Sequence, residues 1–494
     1  MTTRYGDSSD ELRSVRVREI ADSIQYGHTA SAILRQEGPR FLRITDIQDG
    51  GVDWDSVPSC DIVADDVPRY RLSAGDLVFA RTGATTGKSF LIGNCPEAVF
   101  ASYLIRVRAS KEVDPRYLAL FFQSPDYWQQ IERGKRGIGQ PNVNGKVLGE
   151  IELPLRPLPE QRQIVAEIEK QFTRLEAGVT ALRRVQANLK HYHAAVLKAA
   201  CEGNLVPTEA ELPKSASKAQ KGFESGERLL KRILAERRQH WTGRGRYKEP
   251  VAPDTANLRL LPEGWTWATP DQLSAFDEGA ICAGPFGTIF KARDFRSAGV
   301  PVIFLRHVAA GRYLTHKPGF MDAAKWDELF RPYSVFGGEL LVTKLGEPPG
   351  VCAIYPQGIG PAMVTPDVMK MTPNAAVAHP TFLMHYFNSR IARDFATGVA
   401  FGTTRLRLTL PIFREMPVPL PPLAEQTRIV AEVERRLSVV EELESVASTN
   451  LRRAIRLRQS VLQQAFNGNL TKDAALDRVC PTSVIRSAHK MKQT

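Results

Sequence analysis

Two stretches of this chain carry side chains that could act on a phosphate or on a base. The first, Arg81-Thr82-Gly83-Ala84-Thr85-Thr86-Gly87-Lys88-Ser89, follows the strand-like Leu77-Val78-Phe79-Ala80 and at first sight matches a phosphate-binding loop. Such a loop needs four residues between its first glycine and Gly-Lys, and Gly83 and Gly87 enclose only three. The second half of the chain argues the same way. Gly338 to Gly346 repeats Gly75 to Gly83 at a shift of 338 − 75 = 263, then runs Glu347-Pro348-Pro349-Gly350-Val351, so Val351 takes the place of Lys88. A nucleotide site is not part of the repeated plan. A basic residue at the end of a strand, Arg81 or Lys344, is.

The second stretch, Arg133-Gly134-Lys135-Arg136-Gly137-Ile138-Gly139-Gln140-Pro141-Asn142, is glycine-rich and strongly basic, and Gly402-Thr403-Thr404-Arg405-Leu406-Arg407 holds its place in the second half. Glycines let a backbone approach a phosphate closely, lysine and arginine neutralise it, and glutamine or asparagine can read an adenine edge in the major groove. The alternative is a solvated surface loop whose charges touch nothing. Two further loops, Tyr26-Gly27-His28-Thr29-Ala30-Ser31 and Ala283-Gly284-Pro285-Phe286-Gly287-Thr288, are rich in small and hydroxyl residues. His191, His193, His307, His316 and His385 lack ligand spacing and read as structural or exposed. The six cysteines stand far apart with no C-x-x-C pair, which argues against zinc or disulfides and fits a reducing cytoplasm.

The elements that must hold these loops occur twice. Pro154-Leu155-Arg156-Pro157-Leu158-Pro159-Glu160-Gln161 and the following residues to Glu169 return as Pro419 to Glu434, and Gly203-Asn204-Leu205 returns as Gly468-Asn469-Leu470. Both anchors give the same shift, 425 − 160 = 265 and 468 − 203 = 265, so no residue was gained or lost between them. Equal length is what a helical spacer needs, because one inserted residue turns everything beyond it by about 100°. Ile164, Ile168, Phe172, Leu175, Val179, Leu182, Leu189, Val196 and Ala200 keep one apolar face, with Gln186 and His193 in the two skipped seam positions. The second copy runs Ile429, Val433, Leu437, Val440, Ala447, Leu451, Ala454 and Val461. Two single-striped helices in one chain most simply bury those stripes on each other.

This reading divides the chain into a globular segment 1–157, a helix 158–203, a linker 204–262, a second globular segment 263–421, a second helix 422–470 and a tail 471–494. Thr208 to Lys221 reads as flexible. The linker also holds a basic amphipathic helix around Arg228 to Arg238, which could lie along DNA, dock on a partner or pack on its own protein. With 43% hydrophobic and 24% charged residues the 494-residue chain has an ordinary globular composition, and no apolar run of about 18 residues or leader predicts a membrane span or secretion. A net charge of +12 spread over several domains favours nucleic acid over a single acidic ligand.

Two different globular segments, each followed by a near-identical long helix, make the chain resemble the specificity subunit of a Type I restriction-modification system over nearly its whole length. The motif at Leu158 to Glu169, its copy at Leu423 to Glu434, the Gly-Asn-Leu endings and Leu261-Pro262-Glu263-Gly264-Trp265 carry the resemblance. It implies an α+β fold: two globular target recognition domains separated by two long antiparallel coiled-coil helices in a pseudo-twofold arrangement. It also implies a bipartite, asymmetric double-stranded DNA target, two methyltransferase (modification) subunits bound around the helices, and restriction subunits that complete a nuclease. S-adenosylmethionine, ATP and Mg2+ would then be used by those partners, with no cofactor on this chain and a cytoplasmic location.

Glu347-Pro348-Pro349 and Leu420-Pro421-Pro422 are the nearest strings to an adenine methyltransferase's Asn-Pro-Pro or Asp-Pro-Pro, and neither fits, so the chain is expected to be non-catalytic. Two other classes stay open, a coiled-coil scaffold without a DNA role and a self-sufficient methyltransferase. Groove chemistry selects Tyr26, Thr29, Ser31, Arg81, Lys88, Lys135, Arg136, Gln140 and Asn142 in the first domain as candidate DNA contacts. In the second it selects Phe286, Thr288, Lys291, Arg306, Lys344, Arg405 and Arg407.

Overall fold

The computed structural model describes residues 13–34, 37–48, 50–134, 142–212, 224–242, 245–285, 290–399 and 406–468. It forms two compact units, Met1–Arg184 with Ala447–Thr494, and Val185–Val446. The division falls inside both long helices, Leu158–Glu202 and Leu423–Phe466, so each unit contains part of each.

The first unit is built on a four-stranded antiparallel sheet in the order Ala21–Tyr26, Leu104–Ala109, Leu77–Ala80, Ser89–Leu91. Successive side chains of a strand point to opposite faces, and both faces are covered here. Leu77, Phe79, Ile105 and Val107 face a core with the helix Pro115–Phe121, while Val78 and Leu104 face a second core with Leu42 and Phe100. The second sheet runs Ala98–Phe100, Arg40–Leu42, Ser59–Cys60, Ala32–Ile33. The strand around Phe41 stops at Leu42, because the Asp46 carboxylate accepts the Arg43 N–H at 2.8 Å and starts a 3-10 turn over Ile44–Asp46.

The second unit repeats this plan. Its sheet order is Ile281–Ala283, Val368–Met371, Leu340–Thr343, Cys352–Ile354, beside a five-stranded sheet that contains Val300–Ile303 and Ala362–Val364. In each unit a two-stranded ribbon precedes a long helix, Arg13–Arg16 with Glu152–Leu155 in the first and Thr266–Ala268 with Val418–Leu420 in the second.

The helix seams follow the apolar spacing, and every position named for the first helix is buried or half-buried, Gln186 and His193 included. Within the first unit Ile164, Ile168 and Phe172 pack with Val461, Leu462, Ala465 and Phe466. The Arg458 guanidinium lies 4.1 Å over the Phe172 ring and 3.2 Å from Glu176, so the start of one helix meets the end of the other and the two run antiparallel. Within the second unit Val196, Leu197 and Ala200 share a core with Ile429, Val430 and Val433.

The repeated glutamine of the Glu-Gln pair has a structural cause. Gln161 is fully buried; its Oε1 accepts the Asp114 N–H at 2.9 Å, and its Nε2 donates to the carbonyls of Glu112 and Arg156 at 3.1 and 2.7 Å. Gln426 does the same 265 residues later, accepting from His379 N–H at 2.7 Å and donating to Val377 and Pro421 at 3.0 Å each. One amide thus ties the first turn of each long helix to the N-terminus of a domain helix, Pro115–Phe121 or Pro380–Asn388.

In the linker, the basic helix Gly226–Gln239 buries Leu229, Leu230 and Ile233 in the second unit's core, and Arg232 pairs with Glu224 and Glu236. The start of the stretch read as flexible is pinned: Glu209 N–H donates to Glu425 at 3.0 Å, and Arg428 pairs with the Glu209 carboxylate.

Candidate nucleic-acid interface

In the first unit the strand Leu77–Ala80 closes a hairpin, with Ala80 N–H donating to Lys88 O at 2.9 Å and Gly87 N–H to Ala80 O at 2.8 Å. A strand, Ser89–Leu91, follows the loop where a phosphate-binding loop would lead into a helix. Arg81 leaves the hairpin with its N–H on Tyr103 O at 3.0 Å and its carbonyl accepting Val143 N–H at 3.0 Å, while Thr82 bridges Asn142. The Arg81 guanidinium lies 5.1 Å from the centre of the Tyr26 ring, and the Tyr26 hydroxyl accepts Gly145 N–H at 2.8 Å.

Tyr26, Arg81 and Asn142 are therefore held together. Arg81 Nε and Asn142 Oδ1 are buried without a hydrogen-bond partner among the described residues, an arrangement that costs stability unless something else satisfies them. Lys88, Thr29 and Ser31 are exposed and make no hydrogen bond to this cluster among the described residues. Lys135, Arg136 and Gln140 lie outside the described residues, in the stretch that joins Gly134 to Asn142.

The second unit builds the same frame from other side chains. Thr343 N–H donates to Val351 O and Gly350 N–H to Thr343 O, each at 2.9 Å, so Val351 stands where Lys88 does. Leu408 N–H donates to Lys344 O at 2.8 Å and Leu345 bridges Arg407, as Val143 and Asn142 serve Arg81 and Thr82. Lys344 is only 6% exposed; burial, and then the charge of Arg407, pull its ammonium pKa down against Asp367. Arg407 is exposed. Arg306 stacks on Phe304 at 4.0 Å and donates to Lys317 O at 2.8 Å, and Lys291 is exposed beside the turn Ala292–Asp294. Phe286, Thr288 and Arg405 lie outside the described residues.

Each preceding loop rests on a glycine that no other residue could replace without movement. A Cβ on Gly27 would lie 2.3 Å from the carbonyl oxygens of Phe100 and Ala101, and one on Gly284 would lie 1.9 Å from Val364 O. This close backbone approach fixes Gly27 and Gly284 against the second sheet of each unit.

Each strand that ends in one of these basic residues begins at a buried ion pair that sequence reasoning missed. Arg106 and Asp76, both 2% exposed, approach to 3.8 Å; Arg106 also donates to Arg71 O at 2.6 Å and to the Gln25 amide oxygen. Burial lowers its pKa, with Arg108 adding to that and Asp76 opposing it. The counterpart is Lys370 with Glu339, 3.0 Å apart. A signal was present: a cation stands between apolar residues at Ile105-Arg106-Val107 and Met369-Lys370-Met371, and an acid follows glycine at Gly75-Asp76 and Gly338-Glu339.

The family model for the Type I restriction modification DNA specificity domain matches residues 36–182 and 333–444. The EcoKI specificity subunit of Escherichia coli (strain K12) is 28% identical over 236 residues, 46% of this chain and 49% of that protein. The EcoBI specificity subunit of Escherichia coli is 23% identical over 361 residues, 72% of this chain and 67% of that protein. The chain thus spans about half the length of the first of these relatives. A solved chain from a study of complex assembly and conformational transition in the type I R-M system aligns with a TM-score of 0.62 at 18% identity, covering 92% of this chain and 98% of that one. At that identity the likeness is one of fold.

Proposed function

This chain belongs to the Type I restriction modification DNA specificity family, and on that premise we propose that it is the DNA-reading subunit of a restriction-modification complex. Each unit's recognition domain reads one half of a bipartite, asymmetric double-stranded target. The paired helices set the gap between the halves and dock two methyltransferase subunits, which methylate adenine with S-adenosylmethionine. Restriction subunits that use ATP and Mg2+ cut unmodified DNA. The chain itself is non-catalytic; it binds, orients and measures.

The observation that carries this reading is the frame built twice around different groups. A strand-end cation is bonded to the backbone just beyond a basic glycine loop, with Tyr26, Arg81 and Asn142 in one unit and Lys344 with Arg407 in the other. Equivalent backbone with different donors and acceptors suits half-sites that are read in related ways but differ in sequence. Long-read mapping of methylated adenines in cells that carry, and then lack, this gene is the test. A split motif with unlike halves that disappears with the gene is expected. Unchanged methylation, together with failure of the chain plus its methyltransferase subunit to shift any labelled duplex, would leave a coiled-coil scaffold as the better reading.

A further inference from the structure

Tyr103 stands at the turn that carries the chain of the first unit from Ala98–Phe100 in its second sheet to Leu104–Ala109 in its first. Three backbone hydrogen bonds fix that turn. Leu104 N–H donates to Ala101 O and Ser102 N–H to His28 O, each at 2.8 Å, and Tyr103 O accepts the Arg81 N–H. The side chain stays out of this network. It is 64% exposed and makes no hydrogen bond or ring contact among the described residues. A lone exposed aromatic is ordinary on a protein surface. Tyr103 differs because its own backbone is bonded to the strand-end cation whose guanidinium the Tyr26 ring already orients.

The second unit shows the same position employed inside the protein. There Val368 N–H donates to Thr365 O at 3.0 Å and Asp367 O accepts the Lys344 N–H at 2.8 Å, which makes Asp367 the counterpart of Tyr103. Asp367 is half-buried, and its charge supports the Lys344 ammonium that burial disfavours. In the first unit the Tyr26 ring takes that part for Arg81, so position 103 carries an aromatic group that the fold does not use.

An uncharged ring cannot neutralise a phosphate, and its exposed face gains by covering apolar surface. The apolar group that a base presents in the major groove is the thymine C5-methyl. We propose that Tyr103 is a specificity-determining residue of the first recognition domain, its ring covering the methyl group of one thymine in the half-site that this domain reads. The inference rests on the proposed reading of the chain as the DNA-binding subunit, and adds to it a residue and the base that residue selects.

The test uses the chain in complex with its methyltransferase subunit and a fluorescein-labelled duplex that carries the motif found by methylation mapping. Each thymine of both half-sites is replaced in turn by deoxyuridine, which pairs in the same way and lacks only the methyl group. One replacement, in one half-site, should lower the affinity of the unaltered complex about fourfold, which is what burying one methyl-sized group is worth. With Tyr103→Ala that replacement should have no effect, and the thymine duplex itself should bind at least fourfold more weakly; Tyr103→Ser should match alanine. Tyr103→Phe, which keeps the ring, should behave like the unaltered chain. Equal responses of Tyr103→Ala and the unaltered chain at every thymine would overturn the proposal. So would a Tyr103→Phe complex that binds all duplexes more weakly alike, since the hydroxyl would then be held by a phosphate. A complex that shifts no duplex sinks the DNA reading and this inference with it, whereas one that binds its motif but ignores the methyl groups sinks the inference alone.

Discussion

Arg81 is the residue on which the proposed reading bears most directly. It is held by two backbone hydrogen bonds and the Tyr26 ring, with Nε unpartnered among the described residues, so its orientation is fixed before any ligand arrives. If it reads a base, Arg81→Ala costs about 1–3 kcal/mol of binding and relaxes one target position; if it meets a phosphate, all sequences weaken alike and the salt slope falls by about one. Titrations of duplex variants at several salt concentrations separate these, and an unchanged affinity, preference and slope would remove Arg81 from the interface. His385 has a different consequence. Burial, then the neighbouring His193 and His379, lower its pKa from 6.5 to about 4, and its Nε2 is buried without a partner among the described residues. The folded state therefore disfavours the proton. The associated stability is complete above the unfolded value of 6.5 and is lost as pH falls toward 4, up to about 3 kcal/mol in all. Thermal unfolding of the second unit should show a drop between pH 7.5 and 5 that His385→Phe flattens.

At the scale of elements, the junction between domain and helix is the sharpest result. Gln161 and Gln426 each satisfy three backbone groups. Leaving them unpaired in a buried site costs about 1–3 kcal/mol. Gln161→Ala should lower the urea midpoint of the first unit and Gln426→Ala that of the second, each leaving the other transition in place. Equal loss in both transitions for either single variant would mean the amide acts through something other than its own junction. The apolar seam of the helices was legible because a 3.6-residue period repeats locally, and Leu77–Ala80 is the strand read from its apolar run. The pairing of Asp76 with Arg106 was not legible, since it joins residues 30 positions apart through a strand order that only the folded sheet supplies.

At the scale of the whole molecule, two seams of matched length are the property on which the ruler reading depends. Seven residues keep a seam in phase, so adding one heptad to both helices, at Gly178 and at its partner position Leu443, should leave both units folded. Under the proposed function it should lengthen the methylated target's gap by about 10 Å, roughly three base pairs. A single added residue in one helix should instead turn the seam by about 100° and reduce folded yield. Methylation mapping and circular dichroism read these outcomes, and an unchanged gap after the double heptad would sink the ruler.

The sequence alone determined the repeat, the two helices and their buried face, the strand-end cations and the family resemblance, because each is written in local period or in identity at a fixed shift. Tertiary structure decided what those residues touch. It put Lys344 inside and Arg407 outside, made Gln161 and Gln426 clamps, and paired Asp76 with Arg106 and Glu339 with Lys370 where the strands leading to Arg81 and Lys344 begin. The physical reason is the same throughout: hydrogen bonds, ion pairs and burial depend on distance in space, and residues hundreds of positions apart acquire that distance only when the chain folds.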